Sequence, residues 1–190
     1  MREVDVVIPT LGKPHAIESL ASLKHVPWPM RLHLVREGTS WPSATNIGIR
    51  ESTGDVIVMD DDIVLQPGTF EFIDRNYDEA DIFGFKLWFP DGRIQHAGGA
   101  WVNGAMGHFG WGEEDKGQWD GLGYRPHVTT SLAYIKRRVI ENVGLFEEGW
   151  PGFQFEDVDF MFRALKKCYR ILYTPGTGIP YGVGIEEKSA

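Results

Sequence analysis

The chain has 190 residues, enough for one domain with a full hydrophobic core, and its 42% apolar and 13% aromatic content is that of a globular protein. A formal net charge of −8 argues against nucleic acid as the main partner, because binding phosphate backbones needs concentrated positive charge. No apolar run approaches the roughly 18 residues of a membrane span, so no transmembrane segment is expected. The opening Met1-Arg2-Glu3-Val4-Asp5 carries acids and no small-residue cleavage site, so no signal peptide is expected either. The single Cys168 excludes an internal disulfide and a cysteine-built zinc site, and it fits a reducing, cytoplasmic setting.

Taken in order, residues 4–9 read as a buried first strand, stopped by Pro9 and the loop Thr10-Leu11-Gly12-Lys13-Pro14. In residues 15–25, Ile17, Leu20 and Ala21 recur at helical spacing, which predicts a helix. Residues 31–37 alternate through Leu32 and Leu34 into a second strand. After a loop at 38–42, Ser43 is expected to cap a short helix running to about Glu51, ended by Ser52-Thr53-Gly54. Residues 55–59 form a third strand. The order β-α-β-α-β predicts an α/β fold with a mostly parallel, doubly wound sheet.

Beyond it, a helix is expected over 69–75, strands over 81–88 and 93–96, and then an unpatterned stretch. Residues 98–123 hold nine glycines and three tryptophans, and a segment of this length without elements is usually functional or mobile. A strand is expected over 128–135 and a short helix from Lys136-Arg137-Arg138 to about Val143, its basic start solvated. A helix opening at residues 153–157, a last strand over 170–173 and a loosely held tail beyond Pro175 complete the reading.

Two acidic clusters stand out. The third strand ends in Asp60-Asp61-Asp62, at the strand end where open α/β sheets bind ligands. Three adjacent carboxylates repel one another and raise one another's pKa, and the usual compensation is a hard divalent cation such as Mg²⁺ or Mn²⁺ bound through oxygen. Solvated acids in a loop are the plainer alternative. The second cluster, Glu156-Asp157-Val158-Asp159, opens the late helix. Acids there cap free N–H groups and suit the helix dipole, but the preceding Gly149-Trp150-Pro151-Gly152-Phe153 suggests a shaped wall.

With these segments in hand, the chain resembles the inverting, nucleotide-sugar-dependent glycosyltransferases of the GT-A fold, family 2, and especially its rhamnosyltransferase-like members. Four segments carry the likeness in the expected order. They are Val6-Val7-Ile8-Pro9-Thr10; Asn46-Ile47-Gly48-Ile49-Arg50 with Gly54-Asp55 and Met59-Asp60-Asp61-Asp62; Gly92-Arg93-Ile94-Gln95-His96-Ala97-Gly98-Gly99; and Val143-Gly144-Leu145-Phe146-Glu147-Glu148 with Glu156-Asp157-Val158-Asp159 and Arg163-Ala164. The likeness spans residues from about 4 to 176, in a single domain whose nucleotide-binding half is about 1–68 and acceptor-side half about 69–176.

The resemblance implies a role for each matched position. Pro9, Thr10 and Glu37 would lie at the nucleotide pocket, Glu37 where the family usually has Asp, with Asn46 and Arg50 on the helix beside it. Asp60 and Asp62 would be the Asp-x-Asp metal carboxylates, with Asp61 between them on the nucleotide sugar. Asp157 would be the catalytic base and Glu156 its support. The family often places a His after the last strand, whereas none of the six His residues here lies beyond His127. Water, His96, His108 or His127 would then complete the metal shell.

The expected reaction moves a sugar from a UDP-, GDP- or dTDP-sugar, with Mn²⁺ or Mg²⁺, to a hydroxyl on a glycan, protein or lipid-linked acceptor. A divalent ion neutralises the leaving diphosphate and a carboxylate takes the acceptor proton. A single displacement opposite the diphosphate inverts the anomeric carbon. Asp159 is expected to cap or sit on the surface. Trp111 or Trp150 would suit stacking on a sugar ring, against plain packing as the alternative. One rival is a nucleotidyltransferase, but Thr10-Leu11-Gly12-Lys13-Pro14 offers one Gly and one Lys where a glycine-rich phosphate loop is wanted. The other rival is a non-catalytic nucleotide-sugar or glycan-binding module.

Overall fold

The computed structural model describes residues 2–150 and 155–175; the expected tail beyond Pro175 and residues 151–154 of the expected aromatic wall lie outside them. Along the chain run β1 (Val4–Pro9), α1 (Ala16–Ser22), β2 (Met30–Val35), α2 (Trp41–Glu51), β3 (Asp55–Met59), α3 (Glu71–Asn76), β4 (Ile82–Phe85), β5 (Leu87–Trp88) and β6 (Ile94–His96). They are followed by β7 (Gly99–Val102), β8 (Ala105–His108), β9 (Gly123–Tyr124), β10 (Leu132–Ile135), α4 (Arg137–Val143), α5 (Glu156–Lys166) and β11 (Ile171–Thr174). Seven strands form one sheet in the order β2-β1-β3-β10-β4-β11-β9. β1 pairs in parallel with β2 and β3, and β4 with β11, whereas β10 runs antiparallel to both β3 and β4, and β9 antiparallel to β11. The sheet is thus mostly parallel.

Alternate residues of the central strands feed two cores, as the two-residue period of a strand requires. Val4, Val6, Ile8, Ile57 and Met59 pack with Phe70, Phe83 and Tyr134 on one face. Val7, Val56, Val58 and Ile135 pack on the other with Ile49 of α2, Val139 of α4 and Phe160 and Met161 of α5. Gly48 lets α2 lie close, since a Cβ there would stand 2.5 Å from Val7 Cγ1. Gly84 of β4 does the same for the segment before β10, since its Cβ would fall 2.2 Å from Val128 Cβ.

Several expectations are corrected. α1 buries Ala16, Ser19 and Ser22 and leaves Ile17 71% exposed, so its inward face is the small-residue one. α2 begins at Trp41, capped by Ser40, whose side chain accepts from Ser43 N at 3.3 Å, with Pro42 in the first turn where its missing N–H costs nothing. The basic start of α4 is only partly solvated: Lys136 is buried and donates to Tyr77 O, half-buried Arg137 donates through Nη1 to Ser52 O, and exposed Arg138 pairs with Asp81. The glycine-rich stretch carries the β7–β8 hairpin and β9. It is fastened by buried Lys86, whose Nζ donates to Asp115 at 2.7 Å and Asp120 at 2.8 Å, while Trp88 Nε1 donates to Asp115 at 2.6 Å.

One long-range clamp ties α2 to residues 146–148. Asn46 of α2 is buried, and its amide donates to Phe146 O at 2.9 Å and to Glu148 at 2.8 Å, while its Oδ1 accepts from Phe146 N at 2.9 Å. Replacement by Ala strands buried backbone groups, each costing about 1–3 kcal/mol. Asn46→Ala is therefore expected to lower the urea-unfolding free energy by about 2 kcal/mol or more. Gly84→Ala is expected to cost about 1–3 kcal/mol through overpacking, and Val128→Ala in the same chain should recover part of that loss in a double-mutant cycle.

Candidate active site

Every strand that reaches the site does so by the end nearest the same rim. The C-terminal end of β1 brings Pro9 and Thr10, the end of β2 brings Arg36 and Glu37, and the end of β3 brings Asp60, Asp61 and Asp62. The antiparallel β10 reaches that rim with its entrance, Thr129 to Ser131, and α5 with its first turn, Glu156 and Asp157. Together with the start of α2 these residues line a cleft of about 600 Å³. Among its described lining residues, Glu37, Asp60, Asp61, Asp62, Glu156 and Asp157 are carboxylic acids and Arg36 is the one basic residue.

Each acid is placed by identifiable contacts. Asp60 N donates to Ser131 O at 2.9 Å, welding the end of β3 to β10, and its Oδ1 accepts from Trp41 Nε1 at 2.6 Å. Asp61 accepts from the Thr10 hydroxyl and lies 3.3 Å from His15 Nε2, so it faces the loop after β1. Thr10 Oγ1 in turn accepts from Gly12 N at 2.8 Å. Asp62 is half-buried in the cleft wall. Asp157 Oδ1 accepts from Val158 N at 2.7 Å, and Oδ2 stands 3.2 Å from His127 Nε2. Burial alone would raise the Asp157 carboxyl, but His127, the Val158 N–H and His108 outweigh it and hold the group below the usual carboxylate value. Asp159 pairs with Arg163 at 2.7 Å, and Arg163 also donates to Val143 O and Leu145 O, so Asp159 belongs to the helix and not to the cleft.

The donor set suits a hard divalent ion. Oxygens of Asp60 and Asp62 would face it, as Mg²⁺ or Mn²⁺ prefers. No group of three or more His, Cys, Asp or Glu among the described residues is arranged to hold a metal by itself. Two carboxylates alone would leave an incomplete shell, of the kind that water and a ligand's own oxygens fill. Histidines are not arranged to finish it. His96 Nε2 accepts from Thr129 N at 3.2 Å, which puts the ring proton on Nδ1, and Nδ1 donates to His108 Nδ1 at 2.7 Å. His127 faces Asp157, and none of these three rings lines the cleft.

Of the positions singled out from sequence, Pro9, Thr10, Glu37, Asp60, Asp61, Asp62, Glu156 and Asp157 come together in one cleft. Asn46 and Arg50 do not line it: Asn46 is the buried clamp, and Arg50 lies 3.6 Å from Glu148 at the surface. Trp41 and the Thr129–Ser131 wall were missed, and His127, expected as one possible metal ligand, faces Asp157 instead. The Trp-Pro pair after Ser40 was a usable signal for a helix start and hence for Trp41, but no local pattern marks His127. Trp111 is 56% exposed and rests edge-on against Phe89, and Trp150 is 44% exposed. Trp119 stacks on Phe109 as ordinary packing.

No family model matches the chain. An uncharacterized protein, y4gI of Sinorhizobium fredii (strain NBRC 101917 / NGR234), is 27% identical over 157 residues, which cover 76% of this chain and 17% of that protein. Among solved structures, GalNAc-T7 with UDP, GalNAc and Mn²⁺ superposes with a TM-score of 0.63 at 12% identity, over 97% of this chain and 44% of that one. The mannosyltransferase PcManGT from Pyrobaculum calidifontis, in complex with GDP-Man and Mn²⁺, gives 0.62 at 16% identity, over 97% and 58%. TarS from S. aureus gives 0.61 at 13% identity, over 94% and 59%. The chain thus spans about half the length of these structures, and at such identities the likeness speaks to architecture. The architecture is the GT-A fold, a mixed α/β layout around a mostly parallel seven-stranded sheet.

Proposed function

We propose that the protein is a metal-dependent, inverting glycosyltransferase that moves a sugar from a nucleotide diphosphate to an acceptor hydroxyl. The observation that carries this reading is that two acid clusters from opposite halves of the chain, Asp60 to Asp62 and Glu156 to Asp157, line one cleft. Its volume is in the range of small-molecule sites.

Asp60 and Asp62 would hold Mn²⁺ or Mg²⁺, which when bound neutralises charge on the leaving diphosphate as a Lewis acid. Pro9, Thr10 and Glu37 form the wall for the nucleoside, and Asp61, held by the Thr10 hydroxyl, fixes the loop beside it. Asp157 acts on the acceptor. Its carboxylate is ionised at neutral pH, since its pKa is held low, and it takes the hydroxyl proton as that oxygen attacks the anomeric carbon. Glu156 supports it from the same helical turn. The base lies on the α5 side of the cleft and the metal carboxylates at the end of β3, which suits attack opposite the diphosphate and hence inversion. The acceptor would be a glycan, a protein or a lipid-linked sugar. No helix among the described residues is long and apolar enough to cross a membrane.

A thermal-shift screen of UDP, GDP and dTDP with and without Mn²⁺ tests the donor site. One base is expected to raise the melting temperature only when the metal is present, with about 2.7 kcal/mol of stabilisation at a hundredfold excess over Kd. No shift with any base would count against the reading. Turnover of the matching nucleotide sugar separates an enzyme from a binding module. In Asp157→Asn it is expected to fall by about 10²–10⁴-fold with the nucleotide shift retained. Asp62→Ala should lose both.

A further inference from the structure

Behind Asp157, on the side away from the cleft, lies a layer of imidazoles that the proposed reaction does not use. The rings of His96, His108 and His127 meet edge to face, with centroids 4.9, 5.6 and 5.8 Å apart. They come from β6, β8 and the segment before β10. Two of them are committed to each other, since His96 carries its proton on Nδ1 and donates it to His108. His127 differs. It is 1% exposed, neither of its ring nitrogens completes a hydrogen bond in the structure, and Nε2 stands 3.2 Å from Asp157 Oδ2, within ion-pair distance.

The ring has little freedom to turn away. Its backbone carbonyl accepts from Gly99 N at 2.9 Å, closing the β7–β8 hairpin over it. A Cβ on Gly99 would lie 2.8 Å from His127 Nδ1, so the hairpin backbone is in contact with one edge of the ring. His96 and His108 close its other sides. The side chain of Asp157 is 17% exposed and lines the cleft, so it meets a substrate that His127 cannot touch. An imidazole serving as the base itself would need the reverse arrangement.

We propose that His127 is the positioning residue for Asp157, presenting Nε2–H to carboxylate Oδ2 and so aiming the remaining lone pairs into the cleft. The inference rests on Asp157 being the base. The Val158 N–H donates to Oδ1 and His127 Nε2 lies 3.2 Å from Oδ2, so the carboxylate is approached from two directions. The charged and titratable groups facing it are His127 and His108 from behind, Glu156 beside it on α5, and the Asp60–Asp62 cluster in the wall of the same cleft. His96 and His108 act on His127 by packing, holding its ring edge toward α5.

The test compares wild type with His127→Phe, which keeps a ring and removes the donor, and with His127→Gln, which keeps a side-chain N–H. With the nucleotide sugar selected by the thermal-shift screen, His127→Phe is expected to lower kcat roughly 10- to 100-fold, as displaced catalytic groups do. The KM for the donor and the nucleotide shift should be unchanged. The acid limb of its pH–rate profile should move to higher pH, because the partner that lowers the Asp157 pKa is gone. His127→Gln should recover most of the rate. A wild-type rate and pH profile in His127→Phe would overturn the assignment.

A second readout does not depend on turnover. Carbon NMR of the Asp157 carboxyl in metal-free protein should show it titrating below the ordinary carboxylate value in wild type and in His127→Gln, and at higher pH in His127→Phe. If no nucleotide sugar is turned over, the transferase reading fails, and this titration alone decides the His127–Asp157 pair. Should His127→Phe not fold, wild type and His127→Gln decide it, and an ordinary or raised value in wild type overturns the pair.

Discussion

Gathering carboxylates at one end of a sheet sets them against one another, and the rest of this structure can be understood from how that repulsion is handled. At the N-terminal end of the parallel strands, buried acids meet cations. Asp5, wholly buried in β1, takes Arg31 at 3.0 Å and His33 at 2.8 Å besides the N–H groups of Thr53 and Gly54. Burial would raise its carboxyl, yet these partners hold it below the usual range. Asp81 is likewise matched by Arg138. At the C-terminal end the aligning groups include neutral donors, the Trp41 indole for Asp60 and the Thr10 hydroxyl for Asp61. A neutral donor orients a carboxylate without cancelling its charge. One end of the sheet is thereby closed by ion pairs, and at the other the described cleft residues keep six carboxylic acids against one arginine.

Much of this was legible because the central strands obey simple rules. β1, interrupted only by Asp5, and β3, after Asp55, are apolar runs that lead to Pro9 and to the acid triplet, and buried parallel strands have that signature. The acids opening α5 were legible for the same local reason. The direction of β10 was not, because nothing within residues 128–135 distinguishes a strand paired antiparallel between β3 and β4 from one added in parallel. Periodicity misled at α1, where the apolar Ile17 faces water and small Ala16, Ser19 and Ser22 face inward. The glycine-rich stretch looked structureless because its order is long-range: Lys86 holds Asp115 and Asp120 from another part of the chain. His127 could be read only as a possible metal ligand on the same ground, since its neighbour Asp157 comes from another part of the chain.

The start of α5 shows how backbone geometry serves side-chain placement. Phe155 adopts φ 77° and ψ 2°, a left-handed conformation that a bulky residue takes at a cost of about 1–3 kcal/mol. It ends one segment and begins the helix in a single residue, so that Glu156 and Asp157 enter the cleft in the first turn. The Asn46 clamp holds Phe146 and Glu148 against α2.

The antiparallel β10 has a consequence for the order in which the molecule forms. Pairing Met59 with Leu132 closes a loop of about seventy residues, and such closures carry an entropic toll that local hairpins escape. Until that loop closes, the welding of Asp60 to Ser131 is missing, and the Thr129–Ser131 wall stands apart from the acid triplet. A partly folded chain can thus own β1, α2 and β3 in native form and still have no cleft. The cleft thus takes shape only with the pairing of β3 and β10.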